Sequence, residues 1–204
     1  MAEIQWLGHA SVKIKGEKTI YIDPWKLKSG VDKADIILVT HSHHDHFSPE
    51  DIERIKKYGT ALITPYGAAG IGGDIRHVKP GDILNIGSIR IEAVSAYNIY
   101  KSFHPKANNW CGYVVDMGGK RYYHAGDTDM IPEMSQLKKI DYAFLPIGGT
   151  YTMNAEEAAK AAAIIKPKVA VPIHYGDIVG GIEDATKFKM LAKCSVEILK
   201  NNNL

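Results

Sequence analysis

The chain opens on three short apolar or alternating runs, Ile4–Leu7, Ser11–Ile14 and Thr19–Ile22, separated by Gly8-His9 and Gly16-Glu17. Alternation broken by turn residues predicts strands that pair as hairpins. Asp23-Pro24 stops the third, since proline cannot donate to a ladder. Ala34–Thr40 is a continuous apolar run, the pattern of a strand buried on both faces, and it leads straight into a histidine cluster. Ser48 followed by Pro49, Glu50 and Asp51 predicts a helix start, with acids at the positive end of the helix dipole. Ile52, Ile55 and Lys56 continue it at helical spacing, and Gly59 ends it. Ala61–Thr64 reads as a strand. The stretch Tyr66–Gly73, with four glycines, reads as a loop or a short helix.

Further on, Ile89–Ser95, Gly112–Asp116 and Lys120–His124 read as strands, the last two joined by a Gly118-Gly119 turn. Tyr97–Trp110 lacks periodicity and is predicted as a loop. Asp141–Pro146 and Val169–Ile173 are predicted strands, Asn154–Ile165 and Ile182–Leu191 helices, and Val196–Leu199 a last strand. Strands pair first as hairpins and then alternate with helices in both halves. The fold class is therefore α/β, two mixed β-sheets packed together with helices outside. No repeat or linker divides residues 1–204, so one domain is expected.

Length and composition narrow this little. A 204-residue chain suits one well-packed domain. Its 45% hydrophobic and 24% charged residues are those of a globular protein. A net charge of +2 and an isoelectric point near 8.4 point to neither nucleic acid nor membrane. Two cysteines, Cys111 and Cys194, fit a reducing compartment. The N-terminus has no basic or apolar leader pattern, and no apolar run approaches the ~20 residues of a membrane span. A cytoplasmic location is expected, and a homo-oligomer is left open.

The histidine cluster changes the picture. His41-Ser42-His43-His44-Asp45-His46 places four histidines and an aspartate in six residues, between a buried strand and a capped helix. Such residues have no packing use there. Imidazole nitrogen and carboxylate oxygen are ligands that zinc, iron and manganese share. A loop turns alternate residues to one side, so His41 and His43 can grip one ion while Asp45 and His46 face a second. Two-metal sites clamp both the attacking and the leaving oxygen.

The hexapeptide matches the HxHxDH signature of the metallo-β-lactamase superfamily, and other landmarks follow in that family's order over nearly the whole chain. Residues 6–10 (Trp-Leu-Gly-His-Ala) and 22–24 (Ile-Asp-Pro) resemble the opening hairpins of its ascorbate-6-phosphate lactonase-like and related metal-dependent hydrolase branch. Residues 123–128 resemble the strand end that presents a bridging aspartate, here Asp127, and residues 171–176 the one that presents the last histidine, here His174. The resemblance implies an αββα sandwich and a binuclear centre of two divalent ions, zinc first, with manganese or iron as alternatives. It also implies hydrolysis by a metal-bound hydroxide, with Asp45 and Asp127 helping to handle the proton. Carried over residue by residue, His41 and His43 would hold the first ion, Asp45, His46 and His174 the second, and Asp127 would bridge them.

One position departs from the pattern. The wider family closes the strand before the Gly112–Asp116 hairpin with a histidine, and Asn98 stands there in this chain. His104, six residues on, is read as the replacement ligand, with a substrate-facing or plain surface role as the alternatives. His9 is read as reaching the metal face or orienting a ligand, and Asp23 as a partner of a ligand histidine or a turn cap. Tyr175 and Lys101 are placed near the mouth. The expected activity is hydrolysis of a small phosphorylated, lactone or ester compound. Two other readings stay open. One is a nucleic-acid phosphodiesterase, against which stands the absence of a basic block. The other is a non-catalytic or redox iron-binding protein.

Overall fold

The computed structural model describes residues 2–67 and 71–202. Two mixed sheets face one another. The first has six strands in chain order: β1 (Glu3–Trp6), β2 (Val12–Lys15), β3 (Thr19–Ile22), β4 (Ile36–Leu38), β5 (Ala61–Pro65) and β6 (Asp74–Val78). Its first three strands are antiparallel and its last four parallel, β3 belonging to both runs. The second sheet contains β7 (Ile83–Ile86), β8 (Ile89–Ser95), β9 (Cys111–Met117), β10 (Lys120–His124), β11 (Tyr142–Pro146), β12 (Val169–Ile173) and β13 (Ser195–Val196), ordered 13-12-11-10-9-8-7. Here β7 to β10 are antiparallel and β10 to β13 parallel.

Among the described residues, three α-helices cover the outer faces: α1 (Pro49–Ile55), α2 (Ala155–Ile165) and α3 (Ile182–Leu191). Strand β4 shows why the layers stack. Ile36 and Leu38 point into the core between the sheets, while Ile37 and Val39 meet Ile52 and Ile55 of α1 on the other side. A strand apolar on both faces needs cover on both. On the far side α2 lays its alanine face (Ala155, Ala158, Ala161, Ala162) on the second sheet, alongside Phe188 of α3. Asn154 and Glu157 close a reciprocal capping box at its start, which satisfies two backbone N–H groups. No helix among the described residues is long and apolar enough to cross a membrane.

The sandwich expected from the pattern is present, with four local differences. Helix α1 ends at Ile55, because Lys56 is already extended, and Gly59 serves the turn into β5 instead. Strands β6 and β7, for which the sequence made no prediction, complete the edges of their sheets. The last strand is Ser195–Val196, shorter and earlier than Val196–Leu199, although the Glu197 N–H still donates to the Ala170 carbonyl and Asn201 bridges to Trp6. The Tyr97–Trp110 loop contains one turn of 3-10 helix, Lys106–Asn108. The Gly118-Gly119 turn is as predicted, with φ of +59° and +73° at its two glycines, the left-handed pair of a tight hairpin. The glycine-rich stretch 66–73 lies partly outside the described residues.

Candidate metal centre

Parallel strands leave their C-terminal ends at one edge, where irregular loops carry functional groups. At that edge β4 delivers His41–His46, β10 delivers Asp127 and β12 delivers His174. The loop after β8 delivers Asn98 and His104, and the turn after β1 delivers His9. All seven residues singled out as ligands meet there. His41, His43 and His104 form one group whose potential ligand atoms lie within 4.8 Å of one another, and Asp45, His46 and His174 join His9 in a second group. Asp127 sits between the groups, with Oδ2 3.2 Å from His104 Nε2 and 3.1 Å from His174 Nε2, and Oδ1 3.3 Å from His46 Nε2.

The supporting hydrogen bonds decide which ring nitrogen each histidine turns inward. Asp23, fully buried, accepts from Thr40 N at 2.7 Å, from the Thr40 hydroxyl at 2.7 Å and from His46 Nδ1 at 2.7 Å. With its own proton committed to Asp23, the Thr40 hydroxyl accepts from His41 Nδ1 at 3.0 Å. One carboxylate thereby leaves the Nε2 atoms of both His41 and His46 facing the centre. His41 Nε2 lies 3.0 Å from His43 Nδ1, two nitrogens aimed at one place. Asn98 gives His104 the same service. Its Oδ1 accepts from the His104 backbone N at 3.0 Å and from His104 Nδ1 at 2.9 Å, so Nε2 turns inward.

Asn98 is itself fixed by Asp129 Oδ1 at 3.1 Å and the Tyr151 carbonyl at 3.0 Å. Lys101 does not reach the mouth. It is bonded to Asp129 at 2.7 Å and to the Thr152 carbonyl at 2.8 Å, and so tethers the loop. Tyr175 does not reach it either, being buried and stacked on Trp6 with ring centroids 4.7 Å apart.

His9 belongs to the centre. It is buried, its Nε2 lies 2.9 Å from Asp45 Oδ2, and its ring lies 3.9 Å from that of His174. Both histidines adopt left-handed backbone, φ +48° and +59°, and the His174 N–H donates to the His9 carbonyl at 2.7 Å, locking the two turns together. Two other residues escaped the sequence reading. Thr40 is one. Trp110 is the other, its indole packed against the rings of His41, His43 and His104 at 4.8–5.6 Å. A threonine directly before the histidine cluster was the available signal for the first; an indole gives none. His124 is no part of the donor set: it bonds the Ala10 carbonyl and the Gly126 N–H.

Electrostatics separates the donors. Burial pushes His41 well below the ordinary histidine range and lowers His43 and His9, favouring the neutral form a ligand needs. Burial works against charge at His46 too, but the carboxylates of Asp127 and Asp23 outweigh it and hold this imidazole well above that range. Burial likewise opposes ionisation of Asp127 and Asp45. The neighbouring His174 and His46 keep Asp127 well below the usual carboxylate range, and the bond from His9 with the charge of His46 does the same for Asp45.

The donor set fits divalent ions. His46 Nε2, His104 Nε2, His174 Nε2 and Asp127 Oδ1 are buried without a hydrogen-bond partner and converge on one space. Each such atom costs about 1–3 kcal/mol if left unsatisfied. Clustered nitrogens and carboxylate oxygens are what zinc, manganese or iron would satisfy.

The comparisons agree with this geometry. Residues 3–174 match the model of the β-lactamase superfamily domain. A UPF0173 metal-dependent hydrolase of Thermococcus onnurineus is 36% identical, covering 98% of this chain and 97% of that one. A second, from Thermoplasma acidophilum, is 35% identical over 93% of this chain and 90% of its own. The crystal structure of a protein from Parabacteroides distasonis, described as a metal-dependent hydrolase, superposes with a TM-score of 0.86 at 35% identity, covering 98% of this chain and 94% of that one. Igni18, a metallo hydrolase of Ignicoccus hospitalis, shares the fold with a TM-score of 0.78 at 24% identity, over 98% and 95% of the two chains. Signature, sandwich and sequence likeness lead to one assignment: the chain belongs to the β-lactamase superfamily and, within it, to the UPF0173 metal-dependent hydrolases.

Proposed function

We propose that this protein hydrolyses a small molecule at a binuclear centre, with His41, His43 and His104 holding one ion, Asp45, His46 and His174 the other, and Asp127 shared between them. The observation that carries this reading is the convergence of buried, unpartnered donor atoms on Asp127 from two separately braced groups. Divalent ions bound there, zinc first and manganese or iron as alternatives, would polarise the scissile group and make water nucleophilic near neutral pH.

The chain's own residues do the rest. Asp23 and Asn98 fix the faces of the ligand histidines, so little reorganisation accompanies the reaction. Asp45 and His43 border a cavity of about 250 Å3 that opens onto the centre. That volume suits a small substrate rather than a polymer groove. Asp45 is ionised at neutral pH and only partly covered, so its carboxylate can take a proton from water and return it to the leaving group.

The test is elemental analysis of metal-loaded protein in parallel with a screen over phosphodiester, lactone, ester and thioester substrates. About two ions per chain and turnover of at least one class are expected. At most one ion per chain would end the binuclear reading, and absence of turnover by fully loaded protein would end the hydrolase reading.

A further inference from the structure

Three loops close over the centre and bring the same kind of side chain. Phe103 comes from the loop after β8, Tyr151 from the loop after β11 and Ile178 from the loop after β12. Phe103 and Tyr151 meet edge to face with ring centroids 4.8 Å apart. Phe103 is 45% exposed and Ile178 41%, although both border a concave space whose floor is His43, Asp45, His104 and Asp127. Apolar surface left in water at a cavity wall gains free energy when a ligand covers it.

The charges nearby carry the complementary message. Among the described residues, no lysine or arginine lines this cavity. Lys101 is turned away to Asp129, and Lys26 is paired with Asp177 at 2.9 Å. Besides the imidazoles of His43, His44 and His104, the titratable groups that line it are the carboxylates of Asp45 and Asp127, both ionised. Away from the ions the centre would hold, a substrate's second anionic group would lie against apolar side chains with no lysine or arginine to meet it, which disfavours binding.

From this geometry we propose that Phe103, Tyr151 and Ile178 form an acyl subsite, and that the substrate is a neutral carboxylic ester or thioester with a short unbranched apolar acyl chain. The proposal rests on the hydrolase reading above and narrows it. Its reaction balances with water alone: the water's hydroxyl joins the carboxyl carbon, the carbon–oxygen or carbon–sulfur bond breaks, and the departing alcohol or thiol takes the water's proton. A cavity of about 250 Å3 lies below the ~300–1,000 Å3 that enclose drug-sized ligands, which limits the acyl chain to a few carbons. Two further methylenes covered by the lip are worth roughly a tenfold gain in kcat/KM.

The test holds the leaving group constant and varies the acyl chain, using metal-loaded protein of measured ion content. The 4-nitrophenyl esters of acetate, butanoate and hemisuccinate are compared with bis(4-nitrophenyl) phosphate. Butanoate is expected to exceed acetate roughly tenfold in kcat/KM, and to exceed hemisuccinate, its carboxylate-bearing counterpart, by at least as much. Ile178→Lys places a cation on the lip at an exposed position and should narrow or invert the butanoate-to-hemisuccinate ratio. Ile178→Ala should flatten the acetate-to-butanoate ratio. Equal or faster turnover of hemisuccinate or of the phosphodiester by the parent overturns the acyl subsite while the hydrolase reading stands. Ratios unchanged in both Ile178 variants overturn it likewise. If fully loaded protein turns over none of the four, the acyl subsite is overturned, and the hydrolase reading falls with it only if the wider screen over lactones and thioesters is blank as well.

Discussion

The group formed by His41, His43 and His104 contains no carboxylate of its own, is backed by the Trp110 indole and is closed by a residue from a long loop. The group formed by His9, Asp45, His46 and His174 contains a carboxylate, is tied together through two left-handed turns and has an imidazole held between Asp23 and Asp127. Both groups meet the same Asp127, so what separates them is the surroundings of the donors rather than their kind. The first is a carboxylate-free, loop-completed set. The second is charged and anchored in turns at the strand ends. Ions of equal charge should therefore find two unequal sites in one cavity.

The widest break in that comparison is Asp127→Ala, which removes the carboxylate that both groups meet. Turnover should fall on the order of a thousandfold, since several kcal/mol of charge stabilisation depends on the ions. Ion content should fall at both sites, as elemental analysis with circular dichroism to check folding would show. Loss of a single ion would mean that Asp127 serves one group only. Next comes Asp23→Ala. Because Asp23 orients His46 directly and His41 through Thr40, affinity at both sites should drop roughly 10- to 100-fold, measured by competition with a chelator.

A finer instrument is Asn98→Ala, which frees His104 alone. First-site affinity should weaken about tenfold with the second unmoved. The protein supplies its own reporters, since Trp110 lies against the first group and Trp25 sits 5.2 Å from His9 of the second. Titrations followed by fluorescence in Trp25→Phe and Trp110→Phe backgrounds would weight the signal toward the first and the second site respectively, Trp6 being common to both. Equal shifts of both midpoints would show that the groups are not independent.

The smallest effect concerns pH. In metal-free protein His46 is held protonated above the ordinary histidine range by Asp127 and Asp23 in spite of burial, whereas burial keeps His41 and His43 neutral. An ion entering the second group must displace the His46 proton. Its apparent affinity should rise with pH, by at most about tenfold per unit, until pH passes the raised pKa, and then level off. At His41 and His43 no such proton has to be displaced, so first-site affinity should depend on pH less steeply. Parallel slopes at the two sites would erase the electrostatic distinction.

Much of this was legible in the chain. The Ala34–Thr40 run, the capped start of α1 and the Gly118-Gly119 turn each carry a local signal that the structure repeats, because buried pattern, cap and turn are decided by neighbours in sequence. Strands β6 and β7 were not legible. They are edge strands with one partner each, and their mixed exposure gives no clean alternation. At the centre, the spacing of residues 41–46 and the strand ends before Asp127 and His174 pointed to the cluster. The braces did not show, for Thr40 and Asp129 act through contacts between segments far apart in sequence. Asn98 showed only as a missing histidine; the structure makes it the acceptor that aims His104.

The seam between the sheets carries one more consequence. The Cys111 N–H donates to the Thr40 carbonyl at 3.1 Å across the gap, directly below the donor cluster. A Cβ on Gly126 would sit 3.1 Å from Thr40 Cβ on the facing sheet. The width of the chamber is thus gauged where Gly126 meets Thr40, with one missing methyl group as its tolerance. Alanine there would act as a shim, prising the Thr40–His41 corner away from the Asp127 corner without altering a single donor atom. As the lineage diversifies, this chemically silent position should prove as hard to vary as the histidines it spaces.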